Sequence, residues 1–169
     1  MQPPTDQQIQ FREKIATLKD FNEAFELVKS AILQKFKMHR AGLSLILQMM
    51  PSNLGAYHIL GSNVIVMNSY LLASVKKLAG SENEYNSYVF MVLAHEYLHS
   101  LGIVSENAVR QMTFELCSWM LGADHPATKM AKEDPSSLYP QLRSLVQTRF
   151  SPDFHLVGNF DRTNQTYIQ

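Results

Sequence analysis

The residues of this 169-residue chain best suited to chemistry are His95, Glu96 and His99, in the order His95-Glu96-Tyr97-Leu98-His99. Two histidines four apart lie on one face of a helix, one turn above the other, and can present two imidazoles to a single ion. Zn2+ takes neutral imidazole nitrogen at about 2.0–2.1 Å, and catalytic zinc keeps one position for water. Glu96, one residue on, sits beside the open side of that ion and can take a proton from the water. The spacing predicts a hydrolytic zinc site with His95 and His99 as ligands and Glu96 as general base. The plainer alternative is an ordinary helix. It would have to bury two histidines and a glutamate behind the apolar run Tyr88 to Ala94, which is costly without partners.

Local signals place these residues on a helix and give it ends. Ser81-Glu82-Asn83-Glu84 is a capping box, so a helix should begin near residue 82. Gly102 is a natural stop three residues after His99. Ser105 is a good N-cap for a following helix, Glu106 to Leu121, which Gly122 would end. Catalytic zinc usually has three protein ligands, and the downstream candidates are Glu106, Glu115, Asp124, His125 and His155. If the two helices run antiparallel across the bend Leu101 to Val104, Glu106 comes level with His99. Glu115 is nine residues further, about 13 Å along the axis, level with Met91. Length therefore favours Glu106. The facing pattern does not decide, because both glutamates flank the apolar stripe Ala108, Val109, Met112, Leu116, Trp119 and Met120. Glu115 stays open as the alternative.

The remaining elements follow in order. Residues 1–6 read as disordered and Gln7 to Lys19 as a helix. Asp20 to Glu23 is a second capping box, opening an amphipathic helix to about Met38 whose end, with Lys35, Lys37, His39 and Arg40, reads as solvated. Leu43 to Leu47 reads as a strand. Ala56 to Leu60 and Asn63 to Met67 read as a hairpin about Gly61-Ser62, and Ser69 to Leu78 as a helix closed by Gly80. Beyond residue 122, Pro126 fits the first turn of a short helix, and Ser137 to Phe150 reads as another. The expected class is α+β, with about three strands in a small mixed or antiparallel sheet packed on a helical core. One domain is expected over 1–169, with a zinc-helix unit over 40–121 and a helical extension with a tail over 122–169.

Composition narrows the partners. Lys plus Arg and Asp plus Glu are 15 each, so the formal net charge is zero. No basic stripe suggests nucleic acid, and no apolar run is long enough to span a bilayer. The single cysteine, Cys117, excludes an internal disulfide and reads as a small buried hydrophobe. The N-terminus lacks the regions of a signal peptide. A cytoplasmic protein acting on a peptide or protein substrate is expected. His58, Tyr139, His155 and Tyr167 are possible donors to a substrate carbonyl or oxyanion.

Taken together, these residues resemble the gluzincins, the thermolysin-like zinc metallopeptidases. The resemblance covers roughly residues 40–121 and is greatest to the soluble minimal gluzincins. It rests on the His95-Glu96-x-x-His99 helix followed by a glutamate-bearing helix. The preceding segments add to it: Leu54-Gly55-Ala56-Tyr57-His58, Asn63-Val64-Ile65-Val66-Met67-Asn68 and Leu71-Leu72 are also similar to the segment before the zinc helix in membrane prenyl-protein peptidases. The resemblance implies zinc held by the two histidines and a glutamate, with a strand rimming the cleft whose backbone pairs with an extended substrate. The chain departs from the family where an aspartate usually stands four residues after the glutamate ligand. Arg110 follows Glu106 at that spacing and Trp119 follows Glu115. The metzincin pattern fits less well, because Ser105 stands where its third histidine belongs. The stretch Phe154 to Val157 has strand character. It could add to the hairpin edge and restrain activity, bringing His155 or Asp161 toward the metal, or the tail could pack on the back of the domain.

Overall fold

Each of the first five helices starts at a side chain that satisfies its free N–H groups. The computed structural model describes residues 2–161. Helix α1 (Asp6–Ala16) opens on a Thr5–Gln8 capping box, so order begins earlier than the sequence reading expected. Asp20, Asn68, Ser81 and Ser105 cap α2 (Phe21–Phe36), α3 (Ser69–Leu78), α4 (Glu82–Ser100) and α5 (Glu106–Leu121). His125 caps α6 (Pro126–Glu133) by accepting from the Ala127 N–H at 3.2 Å. Burial, with the Arg12 charge adding to it, holds that imidazole down at about 4.

The protein is α+β. Its sheet has four strands rather than about three: β1 (Ser44–Gln48), β2 (Ala56–His58), β3 (Val64–Asn68) and β4 (Phe154–Leu156), in the order β2-β3-β1-β4. β1 and β3 are parallel, while β2 pairs antiparallel with β3 and β4 with β1. The β2–β3 hairpin turns at Gly61, whose φ of 80° suits a residue without Cβ. Helix α4 is the centre of the molecule. It packs against α1, α2, α3, α5, α6 and β2, and its residues from Asn86 to Leu98 are buried except His95. A helix covered on almost every side must be apolar on almost every side, which is what Tyr88 to Ala94 supplies.

Two polar residues, one buried and one half buried, fix the chain around α4. Asn68 accepts from the N–H groups of Met50 and Tyr70 at 3.1 and 3.0 Å. Its amide donates to the carbonyls of Met50, Pro51 and Leu54 at 3.2, 3.1 and 2.7 Å. It thereby shapes the loop that leads into β2. Arg40 is half buried rather than solvated. It donates to the carbonyls of Ser100 and Ser62 at 2.7 and 3.0 Å, joining the end of α4 to the hairpin turn.

The C-terminal third departs from expectation. Ser137 to Phe150 is not a helix: two short 3-10 turns, Pro135–Ser137 and Pro140–Ser144, lead into extended chain, so the extension from 122 is helical only through α6. Pro140 supplies no N–H and keeps Tyr139 out of the helical region, at φ −127° and ψ 77°. Nor does the described part of the tail, residues 154–161, pair with the hairpin. β4 pairs with β1, at the end of the sheet opposite β2. Beyond it Phe160 stacks on Phe25 with ring centroids 4.5 Å apart. Asp161 is fully buried, forms an ion pair with Lys29 and accepts from the Leu43 N–H at 2.7 Å. Residues 154–161 are therefore a clasp on the back of the domain, and Tyr167 lies outside the described residues. Asp161→Ala would remove one of two carboxylates paired with Lys29, Glu26 being the other at 2.8 Å, and would leave the Leu43 N–H without its acceptor. A buried polar group left unsatisfied costs about 1–3 kcal/mol, so the unfolding free energy is expected to fall by about that amount in urea titrations, and an unchanged midpoint would show that the clasp does not hold in solution.

Candidate metal centre

Helix α4 delivers His95 and His99 to one face, with ring centroids 5.0 Å apart and planes at 69°. After Ser100 the chain turns through Gly102, whose φ of 101° would strain any other residue, and α5 runs back from Ser105. That bend is five residues long, so the first residue of α5 faces the last turn of α4. The Glu106 carboxylate reaches both rings, Oε1 at 2.8 Å from His95 Nε2 and Oε2 at 2.9 Å from His99 Nε2. One donor atom from each of the three residues lies within 4.8 Å of the others. An ion about 2.1 Å from each of three tetrahedral ligands needs them roughly 3.4 Å apart, a small adjustment from this arrangement.

The donor chemistry is more telling than the spacing. His99 Nδ1 lies 2.8 Å from the carbonyl oxygen of Ile103, in the bend itself. A carbonyl only accepts, so Nδ1 carries the proton and donates. In a neutral ring His99 Nε2 is then a lone pair aimed at a carboxylate oxygen. Such a contact calls for positive charge between the two atoms, either a proton or a metal ion. A metal-ligating histidine typically donates its other N–H to a carbonyl or carboxylate in this way. Burial is the largest influence on His95 and lowers its pKa; Glu106 opposes it, and the lesser effects of His99 and Arg110 add to the lowering, so the net direction favours the neutral ring that a metal needs. For Glu106, partial burial pushes the carboxyl up, but the two rings, His95 first, bring it net downward to the ionised form.

Glu96 is buried beside this group and lines the same cleft. Burial pushes its carboxyl up to about 7, with His99 opposing and Glu106 adding to the rise. The other expected candidates lie apart from this group. Glu115 is exposed and accepts from Gln111 at 3.0 Å on its own helix. Asp124 pairs with Arg12 at 2.7 Å. Cys117 is fully buried, and burial pushes its thiol up to about 12, the state of an inert hydrophobe. Tyr139 donates to Glu84 at 2.8 Å, and His155 sits exposed on β4. His58 does line the cleft, with Nε2 3.0 Å from the Ser62 carbonyl.

The cleft over this group encloses about 860 Å³. One wall is β2 and the loop before it, and the other is α5, the end of α6 and the 3-10 turns. β2 ends the sheet. Asn68 donates to the Gly55 carbonyl at 2.9 Å and Ile59 to the Val64 carbonyl at 3.3 Å, so residues 55, 57 and 59 direct their backbone groups to β3. By the alternation of an antiparallel pair, the N–H and C=O groups of Ala56 and His58 point away from β3. Sequence reasoning did not find the Ile103 carbonyl, the Asn68 hub or Arg143, which also lines the cleft. Only Asn68 left a sequence signal, as the N-cap between β3 and α3. No protein-family model, curated protein or solved structure matches the chain.

Loss of a ligand should cost at least the 10–100-fold that loss of an outer partner does. Glu106→Ala is expected to weaken zinc binding by that much or more in chelator competition, with Glu115→Ala unchanged. Retained affinity in Glu106→Ala and loss in Glu115→Ala would reverse the assignment.

Proposed function

We propose that the chain is a zinc-dependent peptidase of the gluzincin type, with His95, His99 and Glu106 as ligands and Glu96 as general base. The observation that carries this reading is the His99 ring, with one nitrogen committed to the Ile103 carbonyl and the other facing Glu106 at 2.9 Å. Bound zinc would supply a Lewis acid for the scissile carbonyl and lower the pKa of a water toward 7.

The chain's own residues do the rest. Glu96 accepts the proton of the attacking water at its carboxylate and passes it to the leaving amine; a carboxyl raised by burial is suited to doing both near neutral pH. Its recessed position keeps it from competing with Glu106 for the ion. Ala56 and His58 turn backbone donors and acceptors toward the open side of β2, where an extended peptide can add as a further strand. That peptide is held by main-chain bonds, so the reading favours unstructured segments as substrates. The reading includes a cytoplasmic location; among the described residues, no helix is long and apolar enough to cross a membrane. The alternative is a metal-binding but latent or non-proteolytic regulatory or scaffold protein; residues 154–161, which pair at the sheet end opposite β2, give it no plug for the cleft.

General-base catalysis contributes about 10²–10⁴-fold. Glu96→Gln is expected to keep full zinc and to lose about that factor in kcat/KM on unstructured peptides. A variant that cleaves at the wild-type rate would remove Glu96 from the chemistry.

A further inference from the structure

The proposed function leaves two cleft residues unused. Arg110 stands one turn after Glu106 on α5, about 6 Å along the axis and on the same face. Arg143 comes from the second 3-10 turn, and both line the wall opposite β2. Arg12 and Arg40 are differently occupied, and exposed Arg149 is not among the residues that line the cleft. Arg12 spends its guanidinium on Asp124 and the Leu121 carbonyl, each at 2.7 Å, and Arg40 on the Ser100 and Ser62 carbonyls. Arg143 makes a single bond, from Nε to the Ser136 hydroxyl at 3.2 Å, which steadies its stem. Among the described residues, neither Arg110 nor Arg143 forms an ion pair.

The carboxylates of the cleft do not supply the missing partners. Glu106 is held between the two imidazoles. Asp134 accepts from the Ser136 N–H at 2.6 Å and so caps the first 3-10 turn. Glu96 is recessed in the floor. Two exposed arginines thus line the cleft without an ion pair among the described residues, and Arg110 is near enough for its charge to be felt at His95. Guanidinium is weakly hydrated and matches a carboxylate with two parallel N–H···O bonds.

We propose that Arg110 and Arg143 select substrates, so that the cleft takes peptides carrying a carboxylate close to the scissile bond. The inference rests on the peptidase reading above. The carboxylate is either an Asp or Glu side chain within the peptide or the C-terminal group of its last residue. An extended peptide turns every second side chain the same way, so an internal acid would be preferred at one parity of position only.

The test uses the full zinc-loaded chain and a set of quenched fluorescent peptides of one apolar sequence. A Glu or its isostere Gln is placed at each position in turn, with the C-terminus free or amidated. A charge-assisted bond of about 1.5–3 kcal/mol predicts a Glu-to-Gln ratio in kcat/KM of about 10–100 at the favoured position. In the Arg110→Gln, Arg143→Gln double variant that ratio should fall toward one, and Lys at both positions should restore part of it. The ratio is taken within each variant, so any change in zinc content cancels. If Glu and Gln peptides are cleaved alike but free C-termini are favoured over amidated ones by a similar factor, lost in the double variant, the recognised group is the terminal carboxylate. The same peptides are titrated by fluorescence polarisation against the Glu96→Gln protein. Arginine-dependent preference for Glu in binding, without cleavage by the wild type, would sink the peptidase reading and keep the anion site. Cleavage with equal rates for Glu and Gln and for free and amidated C-termini, or a preference that survives the double variant, overturns the inference and leaves the peptidase reading standing. Neither binding nor cleavage overturns both.

Discussion

Everything about this site depends on one short bend. Five residues, Leu101 to Ser105, bring the start of α5 against the end of α4, and they place a carbonyl and a carboxylate on the two nitrogens of one histidine. A longer connection would let Glu106 drift from the rings. A bend without Gly102 would have to strain its backbone at φ 101°. The rest of the architecture holds that bend still. Arg40 ties the Ser100 carbonyl, just before the bend, to the hairpin turn, while α5 and α6 pack on α4.

The same arrangement accounts for the burial of Glu96. A helix in the middle of a small domain has few faces open to solvent, and α4 opens only where β2 and α5 diverge. The polar residues of the motif line that opening together with Tyr88, Met91 and Val92 of the same helix. Glu96 is at the margin, close enough to the cleft to act and buried enough for its pKa to rise. Stability and the proposed chemistry thus make opposite demands on one helix. The clasp of Phe160, Asp161 and Lys29 stabilises the core from the side that carries no chemistry.

Much of this was legible in the sequence because it is local. Caps at Ser81, Ser105 and Asp20 fixed the starts of three helices, and the helix rise alone separated Glu106 from Glu115. What escaped the reading depends on contacts distant in sequence. Arg40 looked like one of several solvated cations and became a clamp because Ser62 and Ser100 happen to converge on it. The strand character of Phe154 to Leu156 was readable, but which sheet edge it would join was not. The contact that accompanies that choice, Asp161 with Lys29, joins residues 132 apart in the chain. The expected helix over Ser137 to Phe150 failed for a local reason: Pro140 outweighs the apolar spacing around it.

The most direct test is X-ray absorption at the zinc edge on the zinc-loaded full chain. The account predicts two imidazole nitrogens at about 2.0–2.1 Å with oxygen ligands at a similar distance and no sulfur. The imidazole signature should fall to one ring in His99→Ala. A sulfur shell near 2.3 Å, which only Cys117 or a methionine could supply, or a spectrum with no imidazole, would contradict it.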